Sequence, residues 1–175
     1  MNTTTQCITR LIKETARALL LLLLVLPPVA YADFRINDDG TVTDTVTGLM
    51  WDRCSQGQSG AACATGTATL MTWSAALTAA VTANADNYKG RNDWRLPNKN
   101  ELESLVDLSI VTNPVINLTD FPGTPADSIY WSATTYKPNP AWAWRVYFGN
   151  GFTNADFATS VKSSNFAVRL VRSGQ

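Results

Sequence analysis

The run from Leu19 to Leu26 contains no polar residue, and it decides which part of this chain has to fold in water. Arg10, Lys13 and Arg17 precede it, and Pro27-Pro28 and Ala30-Tyr31-Ala32 follow it. A basic segment, an apolar core and a small-residue site in that order form a cleavable secretory signal. Ala18 to Ala32, broken by two prolines, is shorter than the roughly 20 residues a bilayer span needs, so an anchor is the poorer reading. The expectation is a signal over residues 1–32, cleavage after Ala32, and one domain over residues 33–175 exported to the periplasm, the cell surface or the medium. Cys7 precedes the apolar run and is not placed as a lipid acceptor.

Charge and cysteine content narrow the chemistry. The 14 basic and 14 acidic residues become 11 against 13 once Arg10, Lys13, Arg17 and Glu14 leave with the signal, a net charge of −2. Such a domain lacks the basic footprint of a nucleic-acid binder. Cys54 and Cys63 remain, separated by a polar, glycine-rich stretch, and in an oxidising compartment they are expected to close on each other. Eight intervening residues in a chain without histidine argue against a zinc site. The missing histidine also removes the commonest general base and the Ser-His and Cys-His nucleophile systems. No cofactor and no catalytic residue are expected.

Local patterns predict an α+β domain. Phe34-Arg35-Ile36 and Thr41-Val42-Thr43 flank Asn37-Asp38-Asp39-Gly40, a hairpin signal because the Asp-Gly step suits positive φ. Thr47-Gly48 turns into Leu49-Met50-Trp51. Thr72 caps a helix whose apolar positions Trp73, Ala76, Leu77, Ala80 and Val81 follow helical spacing and which ends near Asn84. Asn98 with Glu101 reads as a capping box opening a second helix that buries Leu102, Leu105 and Val106. Residues 108–128, punctuated by Pro114, Pro122, Gly123 and Pro125, read as an ordered loop. Three strands close the chain: 129–134, 141–148 with a Gly149-Asn150-Gly151 turn, and 166–172. Strands, two helices, then strands imply helices packed on a mostly antiparallel sheet.

Five strings in this order carry a resemblance: residues 39–44, residues 47–51, Trp94-Arg95-Leu96-Pro97-Asn98 with Glu101-Leu102, Tyr130-Trp131-Ser132, and residues 168–172. Together they resemble the C-terminal domain family of the bacterial collagen-like adhesin Lcl, long a domain of unknown function, over essentially all of residues 33–172. The resemblance implies a C-type-lectin-like fold, export and, for some members, attachment to polysaccharides such as glycosaminoglycans. The sequence holds no Gly-X-Y stalk, so collagen-driven trimerisation is not carried over. Calcium motifs of the wider fold are not matched: Lys137-Pro138-Asn139 puts an ammonium where a carboxylate ligand belongs, and Asn92-Asp93-Trp94 runs in reverse order. No calcium ligand follows.

The function expected is an exported, non-enzymatic binding module for polysaccharide or matrix glycans. The alternative is a structural or assembly domain recognising protein partners at the cell envelope. Asp38, Asp39 and Asp44 are read as turn residues, Glu101 and Glu103 as a cap and a solvated side chain, and Arg95 as a buried, hydrogen-bonded guanidinium. Strand alternation turns Trp142, Trp144, Val146 and Phe148 inward with Trp131. The same alternation turns Tyr130, Thr134, Tyr136, Arg145, Tyr147 and Arg169 outward. That outward set offers flat rings and guanidinium forks, the candidate surface for an anionic sugar or a protein loop.

Overall fold

Asn37 to Gly40 folds back as the Asp-Gly step requires. Gly40 sits at φ +76°, and Asp39 Oδ1 accepts from the backbone N and the hydroxyl of Thr41 at 3.0 and 2.5 Å. In this computed structural model, residues 33–149 and 161–174 are described in full and residues 152–153 by backbone alone; the expected signal and its cleavage site lie outside the described residues. The hairpin joins β1 (Phe34–Ile36) to β2 (Thr41–Asp44), and β3 (Leu49–Asp52) continues the sheet to β9 (Val171–Ser173), all antiparallel. Short strands β4 (Gln58–Ser59) and β5 (Thr65–Gly66) pair within the cysteine loop. A third sheet comprises β6 (Ile129–Thr135), β7 (Ala143–Tyr147) and β8 (Phe152–Thr153). Of the Gly149-Asn150-Gly151 turn expected between β7 and β8, Asn150 and Gly151 lie outside the described residues.

Both helices start where their caps dictate. Thr72 accepts from Ala75 N at the head of α1 (Trp73–Ala85). Asn98 and Glu101 complete a reciprocal capping box on α2 (Lys99–Glu103), satisfying two backbone donors that a helix start leaves open. The inward stripe of α1 is Ala76, Ala80 and Ala83; Val81, expected inside, is exposed. Small alanines let α1 lie close to the third sheet, and Val81 falls off that stripe. The fold is α+β, two helices with mostly antiparallel sheets, and is consistent with the C-type-lectin-like arrangement implied by the resemblance.

Two apolar clusters cover opposite faces of the β6–β7 pair. Tyr130, Val146 and Phe148 join Val42, Trp51, Leu102, Leu105, Ile116 and Phe121. Trp131 and Ala143 join the α1 alanines, Trp94, Leu96, Val168 and Leu170. The expected one-sided sheet is therefore corrected: with apolar layers on both faces, alternation no longer separates inside from outside. The 166–172 segment makes the point again. It contributes single bridges at Phe166 and Ala167 before β9, and Ala167 through Arg172 are all buried, because Tyr130, Arg95 and β3 bond to it from different sides.

Candidate functional site

The six residues expected on the outward face separate into two groups. Tyr130, Arg145 and Arg169 are buried, and that expectation is overturned for them. Tyr130 Oη lies 2.6 Å from Ser55 Oγ in the core. Arg145, opposite Trp131 in register, lies over the Phe166 ring at 5.8 Å, and burial pushes its pKa down. Arg169 lies between Phe121 and Tyr130, its Cζ 4.9 and 5.7 Å from their centroids. It donates to the carbonyls of Asp52 and Arg53 and to Thr124 Oγ1 at 2.9 Å. These contacts fasten the 166–172 segment to the chain beside Cys54, which is disulfide-bonded to Cys63 as expected. Tyr130 and Arg169 thus build the fold.

Thr134, Tyr136 and Tyr147 remain partly exposed. Tyr147 donates to Asp127 Oδ1 at 2.8 Å, and this bond to a carboxylate raises its pKa. Thr134 and Tyr136 lie at the far end of the hairpin, where a register shift between Trp131 and Thr135 restores pairing at Thr135–Ala143. Tyr136 N then donates to Trp142 O at 2.9 Å. The intervening turn is closed by Asn139, whose N donates to Tyr136 O and whose Oδ1 accepts from Ala141 N. With that turn set, three aromatic rings meet. Tyr136 is near-parallel to Trp142, centroids 6.3 Å apart, and edge-on to Trp144 at 5.7 Å. All three are half-buried, so Trp142 and Trp144 are corrected from core to surface.

Charges edge this aromatic ledge. Lys99 Nζ stands 5.0 Å from the Trp144 centroid and 2.9 Å from Glu103 Oε2, while Lys99 N donates to Thr134 Oγ1. Lys162 Nζ lies 3.7 Å from the Trp73 centroid and donates to Thr135 Oγ1. Beside α2, Arg95 forms a two-pronged pair with Glu101, both bonds 2.7 Å. Burial opposes ionisation of Glu101, but the Arg95 guanidinium and the Asn98 backbone N–H hold its carboxyl below the usual range. The Arg95 side chain is 41% exposed, which corrects its expected burial. Flat ring faces beside ammonium and hydroxyl donors can stack on the C–H face of a sugar and bond its polar groups.

The family model of the Lcl C-terminal domain matches residues 40–172, which include both the ledge and the Arg169 network. The chain belongs to this family. No curated protein matches it. Within this Lcl C-terminal domain, strand alternation set aside a sugar-stacking role for Trp142 and Trp144 in favour of the core, and sequence reasoning missed Lys99, which lies against Trp144. A signal was present: Trp142 and Trp144 follow Lys137-Pro138-Asn139-Pro140 so closely that they sit at a hairpin tip, where little chain remains to cover them.

Proposed function

We propose that this Lcl C-terminal domain is an exported, non-catalytic binding module that holds a polysaccharide or matrix glycan on Tyr136, Trp142 and Trp144. The observation that carries this reading is the meeting of three partly exposed rings at one hairpin tip, edged by Lys99, Lys162 and Thr134. Family membership, the leader-like residues 1–32 and the Cys54–Cys63 disulfide support export. Among the described residues, no helix is long and apolar enough to cross a membrane. The test is a glycan array probed with the exported protein and with Trp142→Ala and Trp144→Ala. Expected is a polysaccharide signal that both variants lose while their melting temperatures stay close to the parent. Equal binding by the variants removes the ledge, and an array without signal removes the glycan reading. Intact mass of the exported species should begin at Asp33.

The second reading, recognition of envelope protein partners, is favoured by Leu108 and Val111, which are 78% and 96% exposed on the loop after α2. Exposed apolar side chains of this kind suit a protein surface better than a sugar. An envelope pull-down that depends on both residues would support this assembly role.

A further inference from the structure

At the opposite end of the β6–β7 hairpin, where Ile129 pairs with Tyr147, an open cleft of about 490 Å3 lies between residues 67–70, 125–129 and 165–167. Small-molecule sites commonly span about 300–1,000 Å3. Leu70, Pro125, Ile129 and Phe166 give the cleft apolar walls. Leu70 is 61% exposed, so an apolar group seated there would cover surface that water now touches.

Among the described residues lining the cleft, Asp127 is the one ionisable group. It sits at φ +55°, with Oδ1 accepting from the Tyr147 hydroxyl at 2.8 Å and the Asn113 amide at 3.0 Å. Both donors are neutral, so they orient the carboxylate without cancelling its charge. Ser128, beside it, also lines the cleft, and its buried hydroxyl has no hydrogen-bond partner among the described residues. Arg145 touches the Phe166 ring but is buried and does not line the cleft.

We propose that this cleft binds a small organic amine, its aryl or alkyl group against the apolar walls and its protonated nitrogen on the Asp127 carboxylate. Tyr147 and Asn113 fix the carboxylate before the ligand arrives, which lowers the ordering cost of binding. A neutral analogue forgoes the ionic bond and an anionic one is repelled. The cleft and the aromatic ledge lie at opposite ends of the hairpin, so this site does not depend on glycan binding.

The experiment titrates the exported protein with 2-phenylethylamine, 2-phenylethanol and 3-phenylpropanoate by calorimetry, and maps the amine by amide chemical shifts. Expected is amine binding about tenfold tighter than the alcohol, as a charge-assisted bond allows, with the carboxylate weakest. The shifts should fall in residues 67–70, 125–129 and 165–167. Asp127→Asn keeps a side chain that tolerates left-handed backbone, and it should reduce amine affinity to that of the alcohol. Leu70→Ser, on an exposed side chain, should weaken amine and alcohol alike without affecting folding. Alcohol or carboxylate binding as tight as the amine, shifts elsewhere, no amine binding, or an unaffected Leu70→Ser variant would overturn the proposal.

Discussion

The core around Arg169 and the ledge around Trp144 use the same ingredients, a cation against aromatic rings with a threonine hydroxyl nearby, yet one is sealed and the other faces water. The cation differs. A guanidinium is weakly hydrated and carries five donors in a rigid fork, so Arg169 can leave water if carbonyls and hydroxyls meet that fork. An ammonium is strongly hydrated, and Lys99 and Lys162 stay at the rim. Among the described residues, the three buried cations are Arg145, Arg169 and Arg172. Arginine is spent on architecture here, and the surface chemistry of the hairpin tip falls to lysine and tryptophan.

The sharpest way to break this contrast is to exchange the cations. Arg169→Met leaves the Asp52 and Arg53 carbonyls and Thr124 without their buried donor, and should destabilise the domain by about 3 kcal/mol or more. Arg169→Lys should recover little of that, because three ammonium donors cannot reproduce the fork. Urea midpoints decide it, with Lys99→Arg as the control expected to stay near the parent. Parent-like stability of Arg169→Lys would mean that charge alone, rather than fork geometry, holds the core.

Next in size is the disulfide beside that network. Replacing Cys54 and Cys63 together by serine should cost about 2.5–3 kcal/mol on the chain-entropy account of a short loop. The loop has other fastenings: Arg53 donates to Thr119 O at 2.7 Å and to Ala61 O at 3.1 Å, and Gln58 donates to Gly123 O. A double variant with an unchanged urea midpoint would assign the loop's order to these bonds. The glycan binding proposed for the ledge should survive in the folded fraction.

These two regions also explain what could be read in advance. Caps and turns were legible because their cause is local: Asn98 needs only Glu101 three residues on, and Gly40 only its own backbone. The Cys54–Cys63 bond was legible because the expected oxidising compartment leaves two cysteines few alternatives. Facing was not legible for Tyr130, Arg145 and Arg169, because it depends on what packs on the second face of the sheet. Nothing near Ile129 to Thr135 in sequence announces that α1, which ends as far back as Ala85, lies against that strand. Tyr136 was placed on the surface correctly, but its partners Trp142 and Trp144 were not, since two-residue alternation is blind to where a hairpin ends. Smaller in effect than either earlier variant, Asn98→Ala tests the local class of signal: it should cost about 1 kcal/mol and leave the core contacts intact.

The smallest effect expected is a pH dependence at the exposed margin of α2, where the pair is only partly shielded from solvent. Glu101 has a lowered pKa in the folded domain, so the unfolded chain binds its proton first as pH falls. Its contribution is therefore complete above the ordinary glutamate pKa of about 4.3 and fades as pH drops through the lower folded value. Asp93, bonded to Arg172 at 2.6 Å, shifts in the same direction. Asp120 shifts upward because burial disfavours its charge, so its contribution is present at low pH and lost as pH rises through its folded value. The measurement is the urea midpoint from pH 6 down to pH 3 for the parent, Glu101→Gln and Asp120→Asn. Glu101→Gln should flatten the decline, and Asp120→Asn should steepen it. A parent-like slope in Glu101→Gln would show that the Arg95–Glu101 fork is held by packing around α2 and contributes little through its charge.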